Sequence, residues 1–348
     1  MLQELVADRL QGVGCARAKG GHAVDDIGDE VKPVEVVQHN PVEWGGRRAF
    51  FRVTAHMQVV IVRAPIRQAM DEQRITMKGK DDRLVGREEQ SMKGIVNLEG
   101  KKGLVMGVAN ADSIAYGCAK VFHECGAEQQ ITYGDAKAEP YVREAVESIG
   151  NPPIMLCDVR EDAQLAAVFE TVLQRWGCLD FVVHCVAFAP KEDLHGRVVD
   201  CSREGFLNAM DVSCYSFIRL AKLAEPLMDR GGCLLTMSYY GAEKVIDHYN
   251  VMGPVKAALE ASVRYLAAEL GSKNIRVHAV SPGPLKTRAA SGIRHFDELI
   301  ERAAARAPMH HRVTIDDVGA AAASLICDAA AAMTGHVVYV DGGYHIMG

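Results

Sequence analysis

The sequence predicts an α/β protein, a doubly wound, seven-stranded parallel sheet with helices on both faces. Three observations carry that expectation. From Lys102 onward, short β-branched apolar runs alternate with longer segments of helical period. The runs are apolar nearly throughout instead of alternating, as strands covered on both faces must be. Parallel neighbours also need a crossover, and right-handed crossovers put the intervening helices on both faces.

Each element follows in order. GLVMGV (103–108) opens the sheet, and a glycine-rich stretch leads from it into a helix from about Ser113. QQITY (129–133) is the second strand and PIMLCDV (153–159) the third, ending on Asp158 and Val159. LDFVVHCVAF (179–188) is the fourth and GCLLTMSY (232–239) the fifth. IRVHAVS (275–281) and HVVYVDG (336–342) complete the sheet.

Composition narrows the function classes. With 348 residues, 49% of them hydrophobic and 24% charged, the chain can bury a sizeable core. The first ten residues, MLQELVADRL, lack the basic start and apolar run of a signal peptide, and Asp328 breaks the alanine-rich stretch around 319–333, so neither secretion nor a membrane is expected. Ten scattered cysteines without a CxxC pair or zinc spacing point to small buried side chains in a reducing cytoplasm, with no metal site. A net charge of −6 argues against bulk nucleic-acid binding.

Residues 1–91 differ from the rest. They contain GVG, GG and EWGG, and only AFFRVTAHMQVVIVRAPI (49–66) suggests strands. The expected division is therefore an N-terminal extension over 1–91, of unassigned structure and not needed for function, with a small accessory module as the rival reading, followed by a nucleotide-binding domain over 92–348. That domain starts strand-first, at MKGIVNLEGKKGLVMG.

The strand ends suggest a cofactor crevice. In GVANADSIAYG (107–117), a glycine-rich turn lets the backbone approach a pyrophosphate, and the helix N-terminus adds free N–H groups. The spacing is not GxGxxG, so an ordinary turn stays open as a reading. Asp158 suits an adenine amino group with Val159 packed on the ring, or else caps the following helix. HCVAFAP and SPGPLKT bring small residues to the same sheet edge.

The stretch SYYGAEKVIDHYNVMGPVK (238–256) holds the candidate chemistry. Lys256 follows Tyr249 by seven residues, which on an unbroken helix would put both on one face. A tyrosine hydroxyl serves as proton or hydrogen-bond donor to an oxyanion, with a nearby ammonium to lower its pKa and hold ribose hydroxyls. A buried tyrosine and a surface lysine remain the bland alternative. Tyr240 with Lys244 is a literal YxxxK, yet it follows the fifth strand at once, without room for the loop and helix that present such a pair; it reads as a coincidence. Pro254 lacks an N–H and belongs in a first turn, so the helix should begin within 250–253.

SYYGAEKVIDHYNVMGPVKAALEASVRYLAAELG (238–271) strongly resembles the bacterial enoyl-acyl-carrier-protein reductases, a divergent branch of the short-chain dehydrogenase/reductase superfamily with a Rossmann-like fold. GVANADSIAYG, CDVREDA, HCVAFAP, MDVSCYSF, SPGPLKTRAASGI, VTIDDVG and VDGGYH follow in the family's order, over about 92–348. The resemblance implies that Gly107, Ser113, Ile114, Asp158, Val159, Val186, Lys256 and the segment Leu285, Lys286, Thr287, Arg288, Ala289 contact the dinucleotide. It implies Tyr249 and Lys256 as the catalytic pair, Tyr239 as an auxiliary tyrosine at the substrate and Ala189 near the acyl thioester. It makes 289–293 and the helix after it a mobile substrate lid, the substrate an enoyl thioester on an acyl-carrier protein, and the assembly a homotetramer.

Some residues depart from the family pattern. Ala187 stands where glycine is usual, Gly134 where glutamine is, and SPGP replaces SAGP. A 3-oxoacyl or other ketone reductase is therefore the alternative, with Thr236 as the hydroxyl partner, and a non-catalytic dinucleotide-binding sensor is a further one. Asp135 near the adenosine ribose favours NADH, while Lys137 keeps NADPH open. Between 286 and 312, six basic residues (Lys286, Arg288, Arg294, Arg302, Arg306, Arg312) against three acidic ones (Asp297, Glu298, Glu301) give +3 in a chain of −6, a match for an acidic carrier protein or a solvated helix face.

Overall fold

A computed structural model describes residues 36–38, 41–44, 47–50, 53–55, 96–287 and 296–347. The chain divides into two compact units, Met1–Val85 and Gly86–Gly348.

In the first unit, strands β1 (Val36–Gln38) and β4 (Val53–Ala55) pair antiparallel, as do β2 (Pro41–Trp44) and β3 (Arg47–Phe50). The expectation that strands are confined to 49–66 misses β1 and β2, which are too short for alternation to register. The Gly-Gly pair between β2 and β3 is itself a two-residue hairpin signal.

The second unit is a seven-stranded, all-parallel sheet. Its strands are β5 (Lys102–Met106), β6 (Glu128–Tyr133), β7 (Ile154–Leu156), β8 (Phe181–His184), β9 (Gly232–Met237), β10 (Ile275–Pro282) and β11 (Val337–Val340). Their order is β11-β10-β9-β8-β5-β6-β7. The chain steps outward from β5 through β6 to β7, then crosses back to β8 on the other side. The order reverses between β5 and β8, and a crevice opens there at the carboxyl ends.

Alternation along β8 divides the core. Val182 belongs to one buried cluster, with Leu104, Leu234 and Phe217, while Phe181 and Val183 belong to a second, with Val105, Leu235 and Phe122. Helices α1 (Ile114–Glu124), α2 (Glu139–Glu147) and α9 (Ile315–Ile326) supply the second cluster. α3 (Asp162–Trp176), α5 (Arg203–Met210), α6 (Ser216–Ala224) and α7 (Met252–Leu270) supply the first. The remaining helices are α4 (Lys191–His195) and α8 (Phe296–Arg306). α1 and α9 pack backbone to backbone, since a Cβ on Gly319 would stand 2.6 Å from the Gly117 carbonyl oxygen.

One wide π-turn, Asp211–Tyr215, joins α5 to α6. It presents Ser213 to the loop after β8: the Ser213 hydroxyl accepts from the Phe188 N–H at 2.9 Å and donates to the Phe188 carbonyl at 3.0 Å. A helix irregularity thus tethers a loop of the crevice.

Candidate functional site

The crevice begins at Gly107. Its φ of +93° lies in the left-handed region, and a Cβ there would stand 2.2 Å from the Cys185 carbonyl oxygen. Only glycine lets the ends of β5 and β8 come this close. The chain then turns into α1, whose N-cap is Ser113. The Ser113 hydroxyl donates to the Asn110 carbonyl at 2.7 Å, which closes the glycine-rich turn instead of capping the helix. The first amides of α1 therefore face the crevice without a side-chain cap, an arrangement suited to a phosphate.

An apolar cavity of about 170 Å³ adjoins this cradle. Ile114 contributes from α1, and Ala187, Phe188 and Ala189 from the loop after β8. Tyr239, Tyr249 and Met252 form another side, and Pro282 to Leu285 with Thr287 a third. Val186 packs beside Gly107, its Cγ2 being 3.3 Å from the hypothetical Cβ. Lys286 is exposed and pairs with Asp297 at 3.2 Å. Arg288, Ala289 and the 289–293 part of the expected lid lie outside the described residues, whereas the helix after it is α8.

Tyr249 and Tyr239 meet edge to face, with ring centroids 4.8 Å apart, a contact worth about 1 kcal/mol beyond its burial. Both phenols are largely buried, which pushes their pKa values well above the usual tyrosine range. The structure corrects the expected pKa-lowering role of Lys256. That ammonium donates to the Met237 carbonyl at 2.6 Å, and the neighbours acting on Tyr249, Tyr239 and Glu260, raise its pKa further. Burial thus favours the protonated form of the Tyr249 phenol. Burial pushes the Lys256 ammonium itself down to about 8.

Pro254 explains the local path. α7 starts at Met252, so Tyr249 precedes the helix and Lys256 lies inside it, and the pair do not share a continuous helical face. The Asn250 carbonyl that an N–H at position 254 would seek is taken by the Gly253 N–H at 3.0 Å. Asn250, with φ +44°, also donates from Nδ2 to the Leu194 carbonyl at 2.6 Å, tying α4 to the tyrosine loop.

Other sequence-predicted residues have different places. Asp158 does not cap α3, whose N-cap is Glu161; its carboxylate is held by the Arg160 guanidinium at 2.6 Å, which keeps its pKa below the usual carboxylate range. Val159 is buried, and its carbonyl accepts from Arg219 at 2.8 Å. Asp135 accepts from the Lys137 N–H at 3.0 Å and caps a short 3-10 turn. Thr236 is withdrawn from the cavity, since its hydroxyl meets His184 Nδ1 at 2.9 Å in the core. Tyr240 packs against Tyr339 and Tyr344, away from the cavity lining. Sequence reasoning missed Ser238, Leu194 and Met252 as cavity residues. Only Met252 had a signal, three residues after Tyr249 in the first turn.

A doubly wound sheet, a phosphate cradle at its switch point and a Tyr/Lys pair beside an apolar cavity define a dinucleotide-dependent reductase of the short-chain dehydrogenase type. The family model described as enoyl-(acyl carrier protein) reductase matches residues 107–345. The enoyl-[acyl-carrier-protein] reductase [NADH] FabI of Aquifex aeolicus is 50% identical over 252 residues, 72% of this chain and 93% of that protein. A structure of the enzyme from Anaplasma phagocytophilum in complex with NAD is 49% identical, with 72% and 96% coverage and a TM-score of 0.69. The Bacillus cereus enzyme, solved with NADP+ and an indole naphthyridinone, is 43% identical, with 73% and 100% coverage and a TM-score of 0.71. The chain belongs to the enoyl-(acyl carrier protein) reductase family.

Proposed function

We propose that the protein reduces the trans-2 double bond of enoyl thioesters carried on an acyl-carrier protein, using NADH. One observation carries the reading: Tyr239 and Tyr249 face a single apolar cavity beside the Gly107 cradle, with Lys256 buried behind them. The cradle fits a dinucleotide, because the space a Cβ would fill at Gly107 lets backbone come close to a pyrophosphate. Gly107, Ser113 and Ile114 would hold the pyrophosphate and nicotinamide side; Asp158 and Val159, the adenine; Val186 and the segment from Leu285, the remaining wall.

A nicotinamide held there would supply the hydride that the substrate β-carbon accepts. Tyr249 keeps its proton and donates a hydrogen bond to the thioester oxygen as negative charge develops on it, and a proton taken up from solvent at the α-carbon then converts the enolate to the saturated thioester. Lys256 would orient the ribose while its positive charge favours that oxyanion. Tyr239, whose hydroxyl is buried without a partner among the described residues, would bind the thioester beside Ala189. The apolar walls exclude water from the transfer.

Thr236 bears on the ketone-reductase alternative: committed to His184, it offers no hydroxyl at the cavity. The NADH names of the relatives support the cofactor choice, and the NADP+ complex of the Bacillus cereus enzyme keeps NADPH as a test arm. Exposed Arg302 and Arg306 on α8 support carrier docking. A homotetramer would have apolar side chains to cover, Leu207, Tyr215 and Tyr265 being exposed on α5, the π-turn and α7. Free thiols at the nine described cysteines fit a cytoplasmic setting, and none of the described helices is long and apolar enough to cross a membrane.

The test offers purified protein NADH or NADPH with crotonyl-thioester and with acetoacetyl-thioester, following the cofactor absorbance. Oxidation with the enoyl substrate alone is expected. Oxidation with the oxo substrate alone would establish the ketone reductase, and with neither, the binding module.

A further inference from the structure

Two buried side chains of α7 reach consecutive residues at the end of β9. Lys256 and Glu260 are four apart, so they stand on one face of the helix in successive turns. The Lys256 ammonium donates to the Met237 carbonyl at 2.6 Å, and the Ser238 hydroxyl donates to Glu260 Oε1 at 2.5 Å. The Ser238 N–H makes the last rung to β10, to the Val280 carbonyl at 2.7 Å. The next residue is Tyr239, whose ring lines the cavity and packs on Tyr249.

Glu260 is 6% exposed and Ser238 is 5% exposed. A buried carboxylate is unfavourable unless it is well bonded, so packing alone gives no reason for an acid here. Its bond has a specific geometric effect. Together with the Lys256 bond it ties residues 237 and 238 to the helix that Tyr249 introduces, leaving the Tyr239 backbone little freedom relative to Tyr249. The Lys256 bond alone would secure the strand end but not the residue adjoining Tyr239.

We infer that Glu260 is a positioning residue for the enoyl-thioester subsite: acting through the Ser238 hydroxyl, its carboxylate sets where the Tyr239 phenol stands in the cavity. The inference rests on the reductase reading above, in which Tyr239 meets the thioester. Glutamine at 260 keeps an oxygen that accepts from Ser238; alanine does not.

Steady-state kinetics with NADH and crotonyl-thioester test it on the full chain. Glu260→Ala is expected to raise KM for the thioester about tenfold, as loss of a buried hydrogen-bond partner would, while KM for NADH stays within about twofold. Glu260→Gln should return within about threefold of wild type. In a Tyr239→Phe background the alanine change should add less than about twofold, because both then act on one interaction. Should Glu260→Ala fail to fold, Glu260→Met, which keeps the volume and removes the acceptor, is read in the same way. A full effect persisting in the Tyr239→Phe background, a rise in KM for NADH, or no effect at all overturns the inference and leaves the reductase reading standing. Wild-type protein inert toward the enoyl thioester overturns both.

Discussion

Gly107→Ala would place a methyl group 2.2 Å from the Cys185 carbonyl oxygen and 2.9 Å from the Cys185 carbonyl carbon. Both are backbone atoms, so no side chain can rotate aside. Reaching even 3.0 Å requires the ends of β5 and β8 to part by about 0.8 Å, although Cys185 N–H is bonded to the Met106 carbonyl at 3.1 Å and Gly107 N–H to the Thr132 carbonyl at 3.0 Å. A left-handed φ of +93° adds backbone strain of about 1–3 kcal/mol for alanine. Overpacking adds about 1–3 kcal/mol more. The sum, about 2–6 kcal/mol, should lower the melting temperature by about 10 °C in a domain of this size. Displacement of the cradle should also weaken NADH binding by about 100-fold, the order expected from an ångström-scale misplacement. Differential scanning fluorimetry and cofactor fluorescence titration measure the two effects. A Gly107→Ala protein that melts within 2 °C of wild type (about 0.5–1 kcal/mol) and binds NADH within about threefold (under 1 kcal/mol) would refute the close-approach argument.

Other outcomes follow from the same geometry. Tyr249→Phe should lower kcat by about 10²–10³-fold, the usual loss for one oxyanion donor, with NADH affinity nearly unchanged; equal losses in both would count against its donor role. kcat/KM for NADH should fall as pH rises past about 8, where buried Lys256 loses its charge, and a flat profile to pH 9.5 would exclude that dependence. The linked stability has the opposite slope. The Lys256 pKa is depressed from 10.5 to about 8 on folding, so between those values the unfolded chain binds more protons and this contribution rises with pH, to be lost as pH falls through about 8. Reversing Arg302 and Arg306 to glutamate should raise KM for a carrier-bound substrate by about tenfold and spare a coenzyme A thioester; an equal effect on both would remove the docking patch.

Much of the site was legible because its residues are close in sequence. Tyr239, Tyr249 and Lys256 span one segment, and Pro254 located the helix start because a missing N–H is tolerated only in a first turn. The matching motifs carried the family resemblance, which the comparisons bear out. The strands were readable for a similar reason, since burial on both faces leaves continuous apolar runs.

Other features depend on residues far apart in the chain. Nothing local distinguishes Thr236, committed to His184 from 52 residues away, from a hydroxyl free to meet a substrate. Nor does spacing reveal that Lys256 gives its ammonium to Met237, or that burial raises the Tyr249 pKa. The sequence by itself determined the sheet and the family, and marked Tyr249 and Lys256 as candidates, because periodicity and short motifs are local properties. The tertiary structure alone decided which hydroxyls face the cavity, which are spent in the core and how Glu260 reaches Ser238. Hydrogen-bond partnership and desolvation are set by which distant segments are brought into contact.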